Sequence, residues 1–168
     1  SIDGNTWGGY VTFTPGNGFY ADLSYRDIGF DGDTLYSGSN QHLDGDASGF
    51  SLEMGYGFKI QSGLEIEPQL QYSAVSVDLD NVDYISGGFE LTDGDAAQLR
   101  IGTAFRKSFN QDSGIWVPYG AISYIQNYDG SNNYLIGGVL NGQVDTSGGS
   151  MLLELGTDAR YGNFDFNV

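Results

Sequence analysis

The sequence predicts an all-β chain, folded as an antiparallel up-and-down transmembrane β-barrel. Three observations predict it. First, one stretch divides cleanly into two faces. In a strand successive side chains point to opposite sides. From Leu64 to Tyr72 this puts Glu65, Glu67, Gln69 and Gln71 on one side and Leu64, Ile66, Pro68, Leu70 and Tyr72 on the other. The preceding strand repeats the division, with Phe50, Leu52, Met54, Tyr56, Phe58 and Ile60 against Ser51, Glu53, Gly55, Gly57 and Lys59. Second, the connections alternate strictly between short and long, the asymmetry of outer-membrane-type barrels. Third, 27 Gly, 12 Tyr and 10 Phe in 168 residues favour strands and turns over helices.

The length reads as a single domain over residues 1–168, part of a barrel. A formal charge of −16 with only 6 Lys plus Arg excludes nucleic acid, which requires a cationic surface. Cysteine is absent, so there is neither a disulfide framework nor a thiolate metal site. No uncharged apolar run approaches the roughly 20 residues of a membrane helix, whereas a barrel strand needs only about 9–11 alternating residues.

Taken in order, the first strand covers about Trp7–Thr14 and ends in the tight turn Pro15-Gly16-Asn17-Gly18. The second, about Phe19–Asp27, sets Phe19, Ala21, Leu23 and Tyr25 against Tyr20, Asp22, Ser24 and Arg26. A long polar loop over about Gly29–Ser48 follows. The third and fourth strands form a hairpin across Gln61-Ser62-Gly63, with glycine in the turn. After a second long loop, about Asp78–Ala96, a fifth strand runs from about Ala97 to Lys107 and places Leu99, Ile101, Thr103 and Phe105 opposite Gln98, Arg100, Gly102, Ala104 and Arg106. A short turn at Asn110–Gly114 leads to a sixth strand, about Ile115–Asn127. A third long loop, about Tyr128–Gly149, precedes the seventh strand, Met151–Tyr161, and an eighth begins at Asn163.

Acids concentrate at the long-loop end, including Asp31, Asp33, Asp44, Asp46, Asp78, Asp93, Asp95 and Asp145. Because the first turn is short, the first strand runs inward from the outer side. A complete bacterial barrel ordinarily has an even strand number and both ends periplasmic, so at least one further strand is expected at each end.

The face assignments give candidate residues. Glu53, Glu65, Glu67, Gln69, Arg100, Arg106, Glu154 and Arg160 are expected to line a lumen. Leu52, Met54, Leu64, Ile66, Leu70, Leu99 and Ile101 are expected to face lipid. Glu65 and Glu67 have the look of an acid/base pair, but such pairs need separations of about 5–10 Å and a substrate cleft. They read instead as lumen charges paired with Arg100, Arg106 or Arg160, and no catalytic residue is expected. The repeated Asp-Gly-Asp (Asp31/Asp33, Asp44/Asp46, Asp93/Asp95) offers oxygens suited to calcium. None continues into an EF-hand loop, and they read as solvated turns, with no metal and no cofactor expected. His42, the sole histidine, reads as an exposed loop residue. Gly55, Gly57, Gly102, Gly120 and Gly156 read as polar-face positions, as strand bends or as room for a passing backbone, with no choice between the two. At Pro68 a bulge or a missing ladder bond is expected. Strand-end aromatics such as Trp7, Phe13, Phe19, Phe58, Phe105, Phe109, Trp116 and Tyr161 read as a membrane girdle.

Several patches together carry a family likeness. They are Gly8-Gly9-Tyr10, Asn17-Gly18-Phe19-Tyr20-Ala21-Asp22, Gly55-Tyr56-Gly57-Phe58, the Glu67-Pro68-Gln69 strand, Leu99-Arg100-Ile101-Gly102, Val117-Pro118-Tyr119-Gly120 and Leu153-Glu154-Leu155-Gly156. In order and spacing they resemble the translocator barrel of autotransporters. The resemblance implies a twelve-stranded barrel in the bacterial outer membrane, of which this chain would supply strands four to ten and the start of eleven. It further implies a non-enzymatic pore that delivers its own amino-terminal passenger to the surface by type V secretion. The implied partners are that passenger, the barrel-assembly machinery and outer-membrane lipid. Two rivals remain: a soluble β-sandwich whose acidic loops bind calcium or carbohydrate, and a passive porin-like channel. The sandwich requires the apolar face to pack against a second sheet.

Overall fold

The computed structural model describes residues 2–36, 39–60, 62–79, 89–91, 94–111, 114–128, 131–136 and 140–168. Its strands are β1 (Ile2–Phe13), β2 (Phe19–Tyr36), β3 (Ser39–Tyr56), β4 (Phe58–Lys59), β5 (Leu64–Leu79), β6 (Phe89–Leu91), β7 (Gly94–Lys107), β8 (Phe109–Gln111), β9 (Gly114–Tyr128), β10 (Ser131–Ile136), β11 (Leu140–Asp145), β12 (Gly148–Tyr161) and β13 (Phe164–Asn167). One sheet of ten strands runs in the order β1-β2-β3-β5-β7-β9-β12-β13, with β4 paired to β5 and β8 to β9. Every pairing in it is antiparallel. The sheet is an open meander whose first and last strands do not pair with each other.

Turn chemistry sets the short connections. Asn17 Oδ1 accepts from the Phe19 amide at 3.1 Å between β1 and β2. Gly63, at φ +77°, closes the turn before β5, its amide donating to the Ile60 carbonyl at 2.9 Å. Few residues other than glycine adopt that conformation without strain.

Pro68 acts where expected, by removing a rung. β3 and β4 keep one register against β5 (Gly55↔Gln69, then Phe58↔Ile66), so there is no bulge. The strand is merely interrupted at Gly57, next to the position facing Pro68, and the Gly57 amide turns to the Gly18 carbonyl at 2.8 Å. β7 and β8 repeat this against β9, broken at Ser108 next to the position facing Pro118.

The structure corrects the long loops. Gly29–Ser48 is mostly ladder, because β2 and β3 stay paired from Phe19↔Tyr56 to Tyr36↔Ser39. The third loop contains the β10–β11 hairpin, which pairs with β6 from the second loop in a separate three-stranded sheet. Asp and Gly are depleted from strands, which favours a loop reading. Here the acids keep strand alternation but face water. Asp31, Asp33, Asp44 and Asp46 therefore lie in paired strands, not turns, and Gly45 between two of them leaves space for Phe30, whose Cζ would stand 2.6 Å from an added Cβ.

Candidate functional site: a charged face behind a bare apolar face

The registers carry each face across the sheet in rows. One row is Phe13–Ala21–Met54–Leu70–Ile101–Tyr124–Met151, and a neighbouring one is Val11–Leu23–Leu52–Tyr72–Leu99. Between them on the other side runs Thr12–Asp22–Glu53–Gln71–Arg100, and nearer the short turns runs Glu67–Ala104–Ala121–Glu154.

Burial is inverted relative to a water-soluble sheet. Among the described residues no hydrophobic side chain is buried; Ile101 is 54% and Leu155 78% exposed. Leu52, Met54, Leu64, Ile66 and Leu99 are half-buried among neighbours in their own sheet. The described positions that are buried, Gly32, Gly45, Gly55, Gly102 and Ser123, all fall on the polar side. A sandwich would bury the apolar rows under a second layer, and that packing is absent from the described residues.

Rings border the apolar rows. Phe13 packs on Phe19, Tyr56 on Phe58 (centroids 4.6 Å apart) and Phe109 on Trp116 (5.2 Å) near the short turns. Trp7 meets Tyr25 and Phe50 meets Tyr72 further along. The apolar side is free of charge from Leu64 to Ala74 and from Ala97 to Phe105, matching a barrel strand of about 9–11 residues.

The polar face holds a linked set of charges. Glu53 accepts from Arg100 Nη2 at 2.8 Å through Oε2 and from the Tyr20 hydroxyl at 2.8 Å through Oε1. Arg106 reaches Glu65 through Nε at 3.0 Å and Nη2 at 3.3 Å, and Glu67 through Nη2 at 3.3 Å. Gln69 donates to Glu67 at 2.8 Å, and Gln71 to Ser51 at 3.0 Å. These bonds tie β2, β3, β5 and β7 together. Beside them lies a groove of about 450 Å³, floored by Ala104 and Ala121 and edged by Glu67, Arg106, Tyr119 and Glu154. Arg100 Nε and the Ser123 hydroxyl, buried on this face, have no partner among the described residues.

Of the eight residues expected on the polar side, six join this network. Arg160 does not: it pairs with Asp165 across the β12–β13 hairpin, Nε to Oδ1 2.6 Å. Glu154 reaches the groove and makes no hydrogen bond or ion pair among the described residues. Gly120 departs from expectation, because an added Cβ there meets Leu155 on the apolar side. Tyr20 was not among the expected lumen residues, although strand alternation places it on the polar face. Its ring lies across Gly55 on the adjacent strand, a match that only the register reveals. Of the acids considered for calcium, Asp93 lies outside the described residues, Asp95 accepts from Ser76 at 2.6 Å, and Asp31 stands directly across from Asp44. No group of three metal-binding side chains converges among the described residues.

Residues 1–168 match the family described as the Autotransporter beta-domain. No curated protein matches the chain. Seven solved chains do. One is the crystal structure of the beta domain of the Bordetella autotransporter BrkA, 20% identical with a TM-score of 0.63, the match covering 95% of this chain and 61% of that one. The likeness is one of fold.

Proposed function

The chain belongs to the autotransporter beta-domain family, outer-membrane β-barrels of type V secretion, and on that premise we propose that it builds part of the wall of a pore through which the protein's own passenger reaches the cell surface. One observation carries this reading: the apolar rows lie bare while the paired charges lie behind them in a groove. Every backbone group in hydrocarbon must be satisfied within the protein, and an antiparallel ladder with an apolar outer side does so. In this proposal residues 1–168 form a single domain. Glu53, Glu65, Glu67, Gln69, Arg100, Arg106, Glu154 and Arg160 line the lumen, and Leu52, Met54, Leu64, Ile66, Leu70, Leu99 and Ile101 touch acyl chains. The role is mechanical: the wall excludes lipid, holds water and keeps its charges paired so that a polypeptide in transit meets few isolated ones. The partners are the passenger, the barrel-assembly machinery and outer-membrane lipid.

Because this chain has no cysteine of its own, single-cysteine labelling of it tests the reading in a full-length protein in which any cysteine elsewhere is replaced. Glu67→Cys is expected to react with a membrane-impermeant, water-soluble maleimide. Ile101→Cys is expected to resist it and, once labelled with a fluorophore, to be quenched by brominated lipid. The reverse pattern sinks the proposal. Loss of passenger from the surface of intact cells when the barrel is deleted separates a translocator from a passive channel.

A further inference from the structure

Beyond the apolar rows, the β2–β3 hairpin continues with acids on the same outward side. Asp31 and Asp33 on β2 face Asp44 and His42 on β3, in the pairs Asp31↔Asp44 and Asp33↔His42. Asp3 of β1 stands opposite Asp31, and Asp78 of β5 opposite Asp46. Like charges directly across a ladder push it apart. The one cation-capable group in this set is His42. Its Nδ1 lies 3.1 Å from Asp33 Oδ1 and its Nε2 3.0 Å from Asp44 Oδ2.

A neutral imidazole has one N–H and can donate at only one of those contacts; the imidazolium donates at both. We propose that His42 is a proton-operated latch, which when charged clamps the distal β2–β3 hairpin by bridging Asp33 across the ladder and Asp44 along its own strand. Loss of the proton leaves Asp31, Asp33 and Asp44 facing one another with one bridge fewer, and the hairpin beyond Gly32 opens more often. The carboxylates of Asp33 and Asp44, with Asp31 behind them, hold the imidazole above its ordinary value. A group raised in the folded state gives its full stabilisation below the ordinary value and loses it as pH rises through the raised one. The latch is therefore closed in acid and released toward alkaline pH.

The test is hydrogen exchange on the full-length protein in phospholipid nanodiscs, following amides of residues 31–46 at pH 6 and pH 9 with intrinsic rates divided out. From acid to alkaline pH, protection in the native protein is expected to fall about two- to fivefold further than in His42→Gln, as for exposed ion pairs. In high salt that difference shrinks. His42→Lys, charged throughout, is expected to keep the acid-side protection at both pH values. Equal pH dependence in the native protein and His42→Gln overturns the proposal. So does failure of His42→Lys to hold the hairpin.

Discussion

Ile101 lies midway between Ala97 and Phe105 on β7, in the row Met54–Leu70–Ile101–Tyr124, and 54% of it is exposed. Replacing it with lysine separates the two solvents that could touch this side. On a water-facing sheet the change removes a β-branched residue from an exposed site and costs at most about 1 kcal/mol. At a bilayer midplane a lysine costs about 2–4 kcal/mol, which lowers the folded-to-unfolded ratio about 30- to 900-fold. Ala104→Lys, three residues along on the polar side and directly opposite Glu67, is the matched control and is expected to cost under about 1 kcal/mol. The assay is urea unfolding of the full-length protein from phospholipid vesicles, followed by tryptophan fluorescence. Equal losses for Ile101→Lys and Ala104→Lys would refute the reasoning, because they would mean that water reaches both sides.

Three further outcomes are expected. Glu53→Gln weakens the acceptor for the Arg100 guanidinium and the Tyr20 hydroxyl and is expected to cost about 1–3 kcal/mol; adding Arg100→Met should restore part of it in the same unfolding assay. Gly55→Ala places a Cβ 2.5 Å from Tyr20 Cε1 and is expected to lose about 1–3 kcal/mol, a loss that shrinks in a Tyr20→Ala background. Asp145 is held below its ordinary value first by the Ser147 hydroxyl and then by the Ser147 amide, 2.8 Å from Oδ1. A depressed carboxylate stabilises above its ordinary value and loses that effect as pH falls through the depressed one. Exchange at the Ser147 amide should thus quicken only in strong acid, and Asp145→Asn should abolish that acid step.

Alternation made the two faces legible, because period two needs no knowledge of neighbours. Leu64 to Tyr72 alone names both. Register was harder. Glu53 and Arg100 lie 47 positions apart and meet only through the combined offsets of the β3–β5 and β5–β7 ladders. The second offset depends on a connection that composition does not fix, so Arg100, Arg106 and Arg160 were interchangeable partners in the sequence. The structure gives them to Glu53, to Glu65 with Glu67, and to Asp165 respectively. Asp-Gly-Asp fits a turn and an outward-inward-outward strand equally well. What decides for two of the three is the β2–β3 pairing, which carries both segments as strand and sets the Phe30 ring over Gly45. Gly120 shows the same weakness: one glycine carries no facing information until Leu155 is found beside it.

The two interrupted rungs, at Gly57 beside the site facing Pro68 and at Ser108 beside the site facing Pro118, have a mechanical consequence. Each proline enters four residues after its strand begins, so both slits open at the same distance from the short-turn rim. A wall slit twice near one rim is expected to yield there before it yields further along its strands. The clasp of Arg100 and Glu53 lies beyond both slits, three rungs further from that rim than Pro68.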